Sequence, residues 1–98
     1  FANVSFKNSD FLQANFSYSD ISGADFSYCV MTELKMIRVI ATNTNFEEAT
    51  VKNCSFEFAD LTGASFLNSK LEDVSFRKAI FGNTKWVDGR LINSESET

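Results

Sequence analysis

The chain contains no proline and no histidine, and only two cysteines and four glycines among its 98 residues. Without histidine, the commonest general base and the commonest zinc ligand are both missing. No apolar run approaches the ~20 residues that cross a bilayer as a helix, and no basic segment leads into an apolar one as in a signal peptide. A soluble chain with no membrane partner is therefore expected. Nine Lys and Arg stand against thirteen Asp and Glu, a net charge of −4, so the basic face of a nucleic-acid binder is absent and no nucleic acid is expected. No glycine-rich phosphate loop, metal-ligand spacing or nucleophile-and-base set can be found. The expectation is no catalysis, no metal and no cofactor. What the chain has in excess is phenylalanine, eleven residues of it.

Ten of the eleven Phe fall in one column when the chain is written in fives, and only Phe58 lies elsewhere. That column runs from Phe1, Phe6 and Phe11 through Phe81, Trp86 and Leu91, with Ala41 and Ser96 as its two small members. Two places earlier lies a column of small or β-branched residues, such as Ala14, Ala24, Cys29, Thr44, Cys54 and Ala64, broken only by Leu34. Two places after the large residue stand Asn3, Asn8, Asn43, Asn53, Asn68, Asn83 and Asn93, with Gly23 and Gly63. The register runs to the end without a slip.

A period of five fits neither a helix nor a simple strand, so the chain must turn after each unit. Asn and Gly supply the turn, because they tolerate positive φ. Within each unit, the small and large residues are two apart and point to the same side of a short extended segment.

Runs such as Ala14-Asn15-Phe16, Ala24-Asp25-Phe26 and Ala59-Asp60-Leu61 make the chain resemble the pentapeptide-repeat proteins over residues 1–95, leaving 96–98 as a polar tail. The resemblance implies an all-β fold, a right-handed quadrilateral β-helix with four pentapeptides per coil. A coil period of 20 is supported by Phe6, Phe26, Phe46, Phe66 and Trp86, and by Asn3, Gly23, Asn43, Gly63 and Asn83. About five coils at the ~4.8 Å strand spacing would stand roughly 24 Å tall, neighbours burying one another's inward residues.

Residues 30–41 keep the phase but not the preferences, with Leu34 and Val39 large where small residues are expected and Ala41 small where a large one is expected. Compensated packing is the expected reading, with a bulge as the alternative. Val30, Ile37 and Ile40 fall in outward columns. A second outward feature is the corner column Tyr18, Arg38, Phe58 and Lys78, with Ile37 and Arg77 beside it. It reads as a cation–π ladder between coils or as a protein-binding stripe. The candidate binding surface is Tyr18, Ile37, Arg38, Ile40, Phe58, Arg77 and Lys78.

Cys29 and Cys54, one coil and one side apart, read as buried core residues rather than a disulfide, which is compatible with a cytoplasmic chain. Asn3, Asn15 and Asn53 open N-x-S sequences, but two of these arise from the repeat itself. The expected function is a non-catalytic interaction or scaffold module with a protein partner, within a larger protein such as a bacterial effector. Alternatives are a purely structural spacer and, from the resemblance, a DNA mimic that binds DNA gyrase and protects it from quinolones. The start at Phe1 without a recognisable cap is expected to mean either a fragment or an end-to-end homodimer, and the stretch from Asn93 to Thr98 is expected to fray.

Overall fold

Every fifth residue from Asn3 to Asn83 has a positive φ, between +48° and +71°. In the computed structural model, which describes residues 1–98, these positions are the corners of a coil of 20 residues. Most corners are closed by a turn in which the small residue's N–H donates to the preceding large residue's carbonyl, as from Ala24 to Ile21 at 3.0 Å, whereas Gln13, Glu33, Asn53, Asp73 and Asn83 bend without that bond. Positive φ at the third position of such a turn is what favours Asn and Gly there. Tyr18, Arg38 and Phe58 nonetheless adopt it too, because the ladder of hydrogen bonds leaves them no other conformation.

Coils are joined by parallel pairing with a register of 20. Strands β1 (Asp10–Leu12), β2 (Val30–Thr32), β3 (Thr50–Lys52) and β4 (Lys70–Glu72) form one four-stranded sheet in chain order. Phe11, Met31, Val51 and Leu71 stand in line across it. The other sides pair through single bridges, as along Asp20, Ile40, Asp60 and Ile80.

The predicted inward columns form the core. Phe26, Phe46, Phe56 and Phe66 have no exposed surface. The aromatic ladder stacks face to face from Phe6 to Phe26 (4.9 Å), Phe46 (5.5 Å) and Phe66 (4.8 Å), and ends on a tilted Trp86 at 5.5 Å. The two thiols are buried and unpaired. Cys29 Sγ donates to the Phe6 carbonyl at 2.9 Å, and Cys54 lies 3.4 Å from that of Met31. Thr44 and Thr84 make the same bond across the coils, to Ile21 and Leu61 at 2.8 and 2.7 Å.

The segment 30–41 is a regular coil and not a bulge. Leu34, Met36, Val39 and Ala41 are all buried, and Lys35 and Ile40 keep their bridges on both sides. Volume has moved between columns, as the enlarged Leu34 and Val39 and the reduced Ala41 required.

The register does slip, contrary to expectation, near the C-terminal end. The positive φ expected at Asp88 appears instead at Gly89, at +90°. The chain then turns back, and β6 (Leu91–Ile92) pairs antiparallel with β5 (Thr84–Lys85). Ile92 is buried, while Leu91, expected inward, is 57% exposed. Asn93 accordingly is no corner. Nor does Asn93–Thr98 fray: a 3₁₀ turn over Glu95–Glu97 is tied back to the body. Glu95 Oε1 accepts the Lys78 N–H (3.0 Å) and Asn93 Oδ1 accepts the Asn83 N–H (2.9 Å). Corner N–H groups from Asn3 to Asn68 donate to a carbonyl 19 residues on, so here side-chain oxygens stand in for a following coil.

Candidate functional site

Tyr18, Arg38, Phe58 and Lys78 stack in one corner column, all at φ between +56° and +66°. Their backbones are fixed by donation to Ile37, Glu57 and Arg77 carbonyls at 2.9–3.0 Å and, for Lys78, to Glu95. Positive φ at a corner turns each side chain outward, so the column is a surface feature by construction.

The cation–π ladder forms in its middle only. The Arg38 guanidinium lies 4.5 Å from the Phe58 ring centroid and Arg77 lies at 6.0 Å, so the half-buried Phe58 is held by two arginines. Arg77 also reaches Glu57 at 3.7 Å. Tyr18 and Lys78 belong to the column but not to the ladder, and Tyr18 is 73% exposed. Ile37 is half-buried, its N–H donating to Ser17 Oγ at 3.1 Å.

Beside this column runs the bridged line Asp20, Ile40, Asp60 and Ile80. Both aspartates are turned away from it. Asp20 Oδ1 accepts the N–H and hydroxyl of Ser22 (2.9 and 2.6 Å), and Asp60 Oδ1 accepts those of Thr62 (3.1 and 2.7 Å). The Ser22 hydroxyl, helped by its N–H, holds the Asp20 carboxyl below the usual range. With the carboxylates drawn toward the next corner, Ile40 (46% exposed) and Ile80 (56% exposed) stand out on this face. Sequence reasoning missed Ile80, although it lies two coil periods after Ile40. It also missed Tyr28, exposed on another side with Lys7 Nζ 5.7 Å from its ring.

Away from this face, Gln13, Asn15, Glu33, Lys35, Asn53 and Ser55 line a shallow open depression, crossed by a 2.8 Å bond from Gln13 Nε2 to Glu33 Oε2. No cluster of three or more His, Cys, Asp or Glu side chains could hold a metal ion.

Comparison with known proteins agrees with this architecture. The profile for pentapeptide repeats matches eight copies over residues 1–32 and 42–77. Its gap covers most of the stretch where column preferences lapse, and it stops before the antiparallel hairpin. Among solved structures, the chain is similar to Rfr23, a pentapeptide repeat protein from the cyanobacterium Cyanothece 51142. The identity is 20% and the TM-score 0.80, over 84% of this chain and 56% of that one. The chain thus spans little more than half the length of that relative. A pentapeptide repeat protein from the Arabidopsis thaliana thylakoid lumen also matches, at 14% identity and a TM-score of 0.47, over 93% of this chain and 72% of that one. HetL from Nostoc sp. strain PCC 7120, a pentapeptide repeat protein involved in heterocyst differentiation regulation, matches at 12% identity and a TM-score of 0.31. That match covers 93% of this chain and 63% of HetL. No curated protein matches. With repeats recognised over more than half its length and a coil register of 20 throughout its parallel sheet, the chain belongs to the pentapeptide-repeat family.

Proposed function

We propose that the chain is a right-handed quadrilateral β-helix of about five coils acting as a non-catalytic protein-interaction or scaffold module, part of a larger protein. The observation that carries this reading is the face built from Tyr18, Arg38, Ile40, Phe58, Arg77 and Ile80, which leaves Tyr18 73% and Ile80 56% exposed. A core filled by stacked aromatics leaves no internal cavity for a substrate. Exposed aromatic and apolar residues beside arginines are the composition of interface anchors.

The test compares partner capture by the wild-type chain, by Tyr18→Ala/Ile37→Ala/Phe58→Ala, and by Leu12→Ala/Tyr28→Ala on other sides. The reading expects a specific partner lost only with the first variant. Unchanged capture by the first variant would sink it. A gyrase supercoiling assay on the same proteins separates the DNA-mimic alternative, for which inhibition by wild type is the required result.

A further inference from the structure

The last paired strand of the parallel sheet, β4, has an open outer edge, although the chain carries a segment in phase to cover it. By the period of 20, Leu91 would stack on Leu71, Ser94 on Val74 and Asn93 would take the corner after Asp73. Instead Asp88–Asn93 forms the hairpin turn and strand β6. Leu71 and Val74 are left half-buried, where their column neighbours Val51 and Cys54 are buried.

We propose that this segment has two docking registers, the hairpin seen here and a coil register that adds a strand to the edge of β4. The two registers use different residues. The hairpin needs Gly89 at φ +90° and buries Ile92. The coil register places position 89 in the small inward column above Ser69, with no demand for positive φ, and buries Leu91 while Ile92 turns outward. Gly89 and the adjacent Leu91-Ile92 pair satisfy both patterns, which is why the sequence period continues past the slip.

Side chains tip the balance to the hairpin. Arg90 bonds Asp88 Oδ2 at 2.7 Å and the Glu97 carbonyl at 3.2 Å, and Glu97 in turn accepts the Asn93 N–H at 2.6 Å. In the coil register, Arg90 would lie beside Lys70, a like-charge cross-strand pair that disfavours it. The change reaches the candidate face, because Glu95 caps Lys78 only in the hairpin. Its functional content is an edge that is closed or open to strand addition according to register.

Amide exchange on the isotopically labelled chain tests this. An alanine Cβ at position 89 would meet Leu67 Cδ1 at an unstrained 3.8 Å, so only the positive φ opposes Gly89→Ala in the hairpin. The expected result is slowing of exchange at the Leu71 and Asp73 N–H groups by roughly tenfold in Gly89→Ala, with a Leu71–Leu91 side-chain contact replacing the Thr84–Ile92 pairing. Ile92→Ser should move exchange the same way, and adding Leu91→Ser to Gly89→Ala should abolish the gain. If both Gly89→Ala and Ile92→Ser leave Leu71 and Asp73 exchanging as in wild type, whether the end stays a hairpin or frays, the second register does not exist.

Discussion

Asn43 holds its side-chain Oδ1 over the Cα of Gly63, in the space a Cβ at position 63 would occupy. Asn3 stands in the same relation to Gly23 two coils earlier in the same corner column. The alternation Asn3, Gly23, Asn43, Gly63 is therefore a steric pairing in which each Asn has a Gly neighbour in the following coil.

Gly63→Ala is expected to cost about 1–3 kcal/mol, from positive φ and from displacement of the Asn43 amide. Gly82, whose φ is not positive and whose Cβ would meet only the Thr62 side chain, its methyl nearest at 3.3 Å, should tolerate alanine better. Denaturant melts of both variants check the contrast. Adding Asn43→Gly to Gly63→Ala should recover the steric part, and an additive double mutant would remove the pairing argument.

The aromatic ladder gives the largest effect. Phe46 has no exposed surface and stacks on Phe26 and Phe66 at 5.5 and 4.8 Å. Phe46→Ala should lose about 3–5 kcal/mol, enough to unfold a domain this small at moderate denaturant. Phe58→Ala, half-buried at an outward corner, should lose less, about 1–2 kcal/mol from its cation–π contact and the part of its apolar surface that is covered. Equal losses at the two sites would mean that Phe58 belongs to the structural frame rather than to a surface.

Much of this was legible in the sequence because the fold is written as columns. The corner, large and small columns hold from Asn3 to Asn83, since every unit repeats one backbone conformation. Leu34 and Ala41 departed from their columns without disturbing the coil, because volume lost at one inward position was gained at another. The slip at Gly89 was hidden for a different reason. Glycine fits a small inward position and a positive-φ turn equally, and Leu91 and Ile92 are interchangeable as large apolar residues. At the candidate face, backbone phase predicted that Tyr18, Arg38, Phe58 and Lys78 would stack. It could not say which side chains touch, and Arg77 reaches Phe58 from the neighbouring column by its length.

The thiols offer a probe of opening. Burial pushes the Cys29 and Cys54 thiols up, and both are buried against carbonyls. Since the thiolate is the reacting form, each should label far more slowly in the native chain than in denaturant. Native-state labelling followed by mass spectrometry checks this, and fast labelling of Cys29 alone would report local opening of the first coils.

Acid sensitivity follows from the turned aspartates. Ser22, through its hydroxyl and then its N–H, depresses the folded pKa of Asp20 below the ordinary 3.8. A depressed carboxyl contributes stability that is fully present above its unfolded value and lost as pH falls through the lower folded one. Ser22→Ala should therefore lower stability in the neutral region, where this contribution is fully present, and converge on wild type as pH falls below about 4, which flattens the acid limb in melts across pH. An unaltered acid limb would mean the Ser22 hydroxyl bond does not persist in solution.

Ser69 makes the sharpest contrast within one column. Thr44 and Thr84 each donate their hydroxyl to a carbonyl of the preceding coil, whereas Ser69 Oγ is buried with no partner. A buried hydroxyl without a bond loses its hydration for no return, while a bonded one leaves an acceptor short when removed. Ser69→Ala should leave stability unchanged or raise it by up to about 1 kcal/mol, and Thr84→Ala should lower it by about 1–2 kcal/mol. Thr44→Ala, in the same column between Ala24 and Ala64, should behave like Thr84→Ala. If all three variants lose stability alike, the cost lies in packing volume and not in the hydrogen bond, and the distinction between Ser69 and the two threonines falls.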